Sequence, residues 1–145
     1  MIETILGVFL GLLGGVAVGI QSPLSGVISE RVGGTSSSFI IHVSGAIVSG
    51  VLLLVRGGEK IQNWRSLPWY MFGLGSLGVV LYLTLSYTIP KLGATSALSL
   101  IVVGQLFMGL LLDTFGWFGL ATRPIDFTRI LAMGLLLCGS YLMIK

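Results

Sequence analysis

Five apolar runs follow one another along this chain with hardly a charge inside them, and a bilayer core about 30 Å thick takes roughly 20 residues of helix. The runs cover about residues 4–28, 36–55, 69–88, 93–112 and 127–144. In lipid every backbone N–H and C=O must be paired internally, so only helices and closed barrels span. The alternating pattern of barrel strands is absent, so the runs read as helices. The expected fold is an all-α membrane protein with five transmembrane helices in a single domain, residues 1–145.

Composition excludes the soluble alternatives. Charged residues make up 9% of the chain, hydrophobic residues 54%, and the mean hydropathy is +1.03. A soluble domain carries about 25% charged residues. Eight basic and five acidic side chains cannot supply a polar face to every element of a soluble fold. The net charge of +3 is scattered, whereas a nucleic-acid footprint needs Lys and Arg on one face. Cys138 is the single cysteine, which excludes an intrachain disulfide and a thiolate metal site. The first run lacks a basic leader and a cleavage site, so it is expected to be retained.

The connections fit the five-span count. Glu30 to Gly34 reads as a short polar, glycine-ended break of the kind that ends a helix, Arg56 to Leu67 as the most hydrophilic segment, and Pro90-Lys91 as a tight turn. Thr122, Arg123, Pro124 and Asp126 lead into the fifth span. Trp64, Trp69, Tyr70, Trp117 and Phe118 sit at span ends, where amphipathic rings favour the headgroup level. Arg56, Lys60, Arg65, Arg123 and Arg129 fall on the N-terminal side; Arg31, Lys91 and Lys145 fall on the other. The small excess favours a cytoplasmic N-terminus and leaves insertion both ways up open.

The residues inside the spans divide into packing and polar groups. Gly7, Gly11, Gly15 and Gly19 recur every four residues, a row along which another helix can approach closely. Beyond it, Pro23 cannot donate to the carbonyl of Gly19, so a kink is expected, with the Gln21 amide and Ser22 beside the opening. Gln21 reads either as interhelical glue or as the lining of a substrate cavity. His42, flanked by Ser38 and Ser44, is the one mid-span side chain of a type that titrates near neutral pH. It is a cavity and coupling candidate, against the plainer reading of a neutral ring bonded to a hydroxyl. Gln105 lies near the middle of the fourth span and joins the cavity candidates. Asp113, near that span's end, either meets water or a basic neighbour or serves as a gate or coupling carboxylate. Tyr82 and Ser86 share a face of the third span and offer hydroxyls. No span carries a central carboxylate, and the chain has no metal-ligand cluster or nucleophile–base pair, so neither enzyme nor cofactor is expected.

Gly19-Ile20-Gln21-Ser22-Pro23-Leu24-Ser25, then Pro68-Trp69, Ile89-Pro90-Lys91-Leu92-Gly93-Ala94, Gly104-Gln105 and Leu111-Leu112-Asp113-Thr114-Phe115-Gly116 follow in an order that resembles the drug/metabolite transporter superfamily. The resemblance is to its half-size, five-helix YdcZ-type branch and covers essentially the whole chain. It implies a carrier of the bacterial inner membrane built from two five-helix units in opposite orientations, which in that superfamily are two copies of one chain, two paired chains, or halves of a ten-helix fusion. Four-helix relatives carry a glutamate in their first helix that binds cations and protons. By rough position Gln21 stands there, and an amide exchanges no proton, which leaves His42 and Asp113 as titratable substitutes. Ser25 stands where the YdcZ-type pattern often has asparagine.

The resulting expectation is a secondary transporter subunit that moves a small metabolite or drug-like solute by alternating access in an antiparallel dimer. Gln21, His42 and Gln105 would face a cavity near the midplane. The competing reading is a membrane scaffold that binds a partner protein through its glycine-rich faces, and saturable flux in proteoliposomes separates the two.

Overall fold

The computed structural model describes residues 2–145, which are mostly helical, with no strand among them. Its α-helices are α1 (Ile2–Val32), α2 (Gly34–Val55), α3 (Gly75–Leu92), α4 (Ala94–Phe115) and α5 (Phe127–Ile144). Short 3-10 segments at Ile61–Ser66, Trp69–Gly73 and Trp117–Gly119 fill the two longer connections. Among the described residues, five helical stretches are long and apolar enough to cross a membrane, the third of them Trp69–Leu92. At 1.5 Å rise the 31 residues of α1 extend for about 46 Å, well beyond the hydrocarbon core.

Polarity does not set where α1 and α3 end. Polar residues were expected to stop the helices, yet α1 continues through Ser29-Glu30-Arg31 and α3 through Pro90-Lys91. A helix end at the headgroup level finds water, so polar side chains there do not break it. Proline inside a helix removes one backbone bond, and both Pro23 and Pro90 lie within continuous helix. The breaks fall instead on single glycines. Gly33 (φ 87, ψ 154) separates α1 from α2, and Gly93 (φ 78, ψ 161) separates α3 from α4. This backbone region is essentially closed to residues with a Cβ, at a cost of order 1–3 kcal/mol. Gly33→Ala and Gly93→Ala are each expected to lower unfolding stability in detergent by about that amount; a loss under a few tenths would contradict the strain argument.

The chain divides into two compact units, one reaching to Pro90 and the other Lys91–Lys145. In the first, α1, α2 and α3 pack through small residues. Ser37 of α2, fully buried, donates its hydroxyl to the Ser25 carbonyl of α1 at 3.0 Å. A Cβ on Gly26 would stand 3.2 Å from Ile89, and one on Gly34 would stand 3.2 Å from the Ser86 hydroxyl. Ser22, Ser25, Ser38 and Leu85 complete the buried set.

In the second unit, α4 and α5 run antiparallel. Ser96 Oγ donates to the Met143 carbonyl at 2.7 Å, and Ser140 Oγ to the Ser99 carbonyl at 3.4 Å. Further along, Arg129 meets Asp113, so the pairing descends one helix as it climbs the other. Gly116 (φ 62) ends α4, and the Arg123 N–H donates to the Asp113 carbonyl at 2.7 Å. Asp126 caps α5 by accepting from the Arg129 N–H at 2.7 Å.

Candidate functional site

His42 is the best-defined of the polar groups within the spans. Its Nδ1 lies 2.7 Å from the Ser38 carbonyl one turn earlier and 3.3 Å from the Ser38 hydroxyl. A carbonyl oxygen can only accept, so Nδ1 is the donor of this bond. The far edge of the ring rests over α3. A Cβ built on Gly78 would lie 2.5 Å from Nε2 and 3.3 Å from Cε1, so only glycine leaves the ring room there. Tyr82, one turn on from Gly78, meets the imidazole edge to face, with ring centroids 5.4 Å apart at 85°. Both rings are half-buried.

The other candidates in the first unit are arranged differently. Gln21 is exposed on α1, whereas Ser22 beside it is buried and Pro23 half-buried. Ser25 donates its hydroxyl to the Ser22 carbonyl at 2.7 Å, which fixes this turn of α1 from inside. Among the described residues the Gln21 amide has no hydrogen-bond partner. The structure therefore brings His42 and Tyr82 together and leaves the amide projecting from α1. Gly7, Gly11, Gly15 and Gly19 are all exposed, and a Cβ added at any of them would meet nothing within 4 Å.

In the second unit, Gln105 is exposed on α4. Asp113 is half-buried and accepts from Arg129 of α5 at 3.4 Å. This pair closes one end of an open groove of about 300 Å³ between α4 and α5, floored by Leu106, Gly109, Met133 and Leu136. The carboxylate thus has a basic neighbour across the α4–α5 contact.

Two partners in these arrangements were not singled out from sequence. Gly78 is one glycine among 22, and its place beneath His42 depends on the register of α2 against α3. Arg129 was read only as an orienting charge; its position opposite Asp113 follows from the antiparallel course of α4 and α5. Among the described residues no cluster of His, Cys, Asp or Glu is suited to hold a metal ion.

Over residues 6–142 the chain matches the family described as "Putative inner membrane exporter, YdcZ", the YdcZ-type branch of the drug/metabolite transporters. The chain belongs to this family. No curated protein and no solved structure matches it. The five apolar helices and the family together make it a multi-pass inner-membrane protein with a transporter role. For a member of the YdcZ family, the polar groups within the helices are the natural candidates for contact with solute.

Proposed function

We propose that this YdcZ-family chain is one half of an exporter, in which two five-helix units associate in opposite orientation and move a small solute by alternating access. The observation that carries the reading is the Gln21 amide, exposed on α1 and without a hydrogen-bond partner among the described residues. An amide has several hydrogen-bonding positions to fill and finds nothing in acyl chains to fill them. A water-containing passage, completed by a second unit, supplies what lipid lacks. His42 and Tyr82 add a ring nitrogen and a hydroxyl from α2 and α3. A neutral or weakly polar solute suits this set, because no span holds a central carboxylate to balance a cation.

The test is flux of candidate solutes into proteoliposomes containing this chain alone. Gln21→Ala is expected to reduce saturable flux about tenfold or more, roughly 1.4 kcal/mol of lost interaction, while dimer yield stays intact. Unchanged flux in the variant would remove Gln21 from the site. Absent flux from well-folded wild-type dimer would instead favour the scaffold reading. Paired C-terminal reporters, one active only inside the cell and one only outside, test orientation; activity from both is expected for a homodimer of opposed copies.

A further inference from the structure

We infer that the groove between α4 and α5 binds a zwitterionic aminophospholipid, with the Arg129 guanidinium on its phosphate and the Asp113 carboxylate on its ammonium. Asp113 lies in the last turn of α4 and Arg129 in the first turn of α5, so the pair stands at the end of both spans. That is the headgroup level of a bilayer. From there the groove leads inward. Leu106 is seven residues from Asp113 and Leu136 seven from Arg129, about 10 Å along each helix. Apart from the pair, the lining is apolar. A second hollow of about 220 Å³ meets it at Leu136 and continues the largely apolar path between the same helices toward Met143. A charged mouth at the headgroups with an apolar trough below it suits an amphiphile lying along the helices, as a phospholipid does.

The ion pair leaves both of its members open. Arg129 Nη1 and Asp113 Oδ2 approach at 3.4 Å, a single contact, and the side chains stay 31% and 40% exposed. A guanidinium carries five N–H donors and a carboxylate two oxygens, so most of the capacity of each group is unused by the other. The backbone around them is held. The Arg123 N–H donates to the Asp113 carbonyl, and the neighbouring Asp126 carboxylate is taken up by the Arg129 N–H. The mouth therefore offers one positive and one negative group at positions fixed by two helices. Headgroup choice follows from that charge pattern. A phosphoglycerol head satisfies Arg129 but brings no cation to Asp113. A choline head brings a cation without N–H hydrogens, whereas an ethanolamine ammonium brings three donors to the carboxylate. Charge-assisted bonds of that kind are the stronger ones. The other ion pair among the described residues, Arg56–Glu59, joins residues three apart on one stretch of chain and bridges no two helices.

The test is native mass spectrometry of the full chain in detergent, titrated with phospholipids of identical acyl chains bearing ethanolamine, choline or glycerol heads. The ethanolamine lipid should bind about tenfold more tightly than either of the others, the scale on which a hydrogen bond to a charged group contributes. Asp113→Asn should erase the preference over choline and favour the glycerol head, because Arg129 is then unopposed. Gly109→Leu should weaken binding of all three lipids about tenfold. A Cβ at Gly109 meets nothing within 4 Å, so the leucine enters the trough, and circular dichroism checks that the helices remain. Glu59→Gln, at the other ion pair, should leave the preference as it is. Equal binding of the three heads by the wild type would overturn the inference, as would a wild-type preference for choline or glycerol. An Asp113→Asn chain that keeps the ethanolamine preference would overturn it too. So would a folded Gly109→Leu chain that holds lipid like the wild type, since the lipid would then sit elsewhere. A paired wild-type chain that retains no lipid would sink it as well, and would assign the groove to a second copy.

Discussion

Replacing Gly11 and Gly15 together with leucine is expected to abolish association of two chains in bilayers while leaving each chain folded. The contrast follows from what a side chain would meet. Within the chain a Cβ at either position has nothing within 4 Å, so the substitution adds no internal clash. Leucine is also a better helix former than glycine, which if anything firms α1. Between two helices the same row is where close approach occurs, because small residues let backbones come together. Filling such an interface costs about 1–3 kcal/mol per side chain, and the four added leucines, two on each partner, reduce the association constant about a thousandfold or more. Single-molecule photobleaching in lipid counts chains per spot, and circular dichroism of the same sample checks the fold. A variant that stays paired at wild-type density would show that the row packs against something other than a second copy.

How far the sequence foretold the molecule depends on the distance over which each feature is decided. The existence and order of the spans were legible because bilayer thickness imposes a length, and α5 occupies the stretch expected for it. The helix ends were not legible from polarity. Glu30 and Lys91 sit in helical turns, and the stops come from Gly33, within the glycine-ended break visible at Glu30–Gly34, and from Gly93, which did not stand out as a stop. The intramembrane polar residues were visible as exceptions to apolar runs, so Gln21, His42, Gln105 and Asp113 all stood out. Their partners were not, since each is set by how one helix slides along another. Gly78 lies 36 positions from His42 and Arg129 lies 16 from Asp113, separations without a periodic signature.

Ser37→Leu should unfold the first unit far more readily than Ser37→Ala, and the size of the difference tests what holds this bundle together. Ser37 is fully buried, and its hydroxyl donates to the Ser25 carbonyl across the α1–α2 contact. Alanine removes that bond and little else. Hydrogen bonds between membrane helices average about 0.6 kcal/mol, because the unfolded chain in lipid also finds partners. Leucine removes the same bond and in addition drives a branched side chain into a contact built for a hydroxymethyl group. Overpacking of that kind costs about 1–3 kcal/mol, and more where backbones must separate. Volume should therefore outweigh polarity by severalfold. The hydrophobic effect offers no compensation, because lipid tails are as apolar as the leucine. Unfolding titrations in mixed micelles measure both variants on one scale. Equal losses would mean that the serine hydroxyls, rather than the closeness they permit, hold α1 to α2.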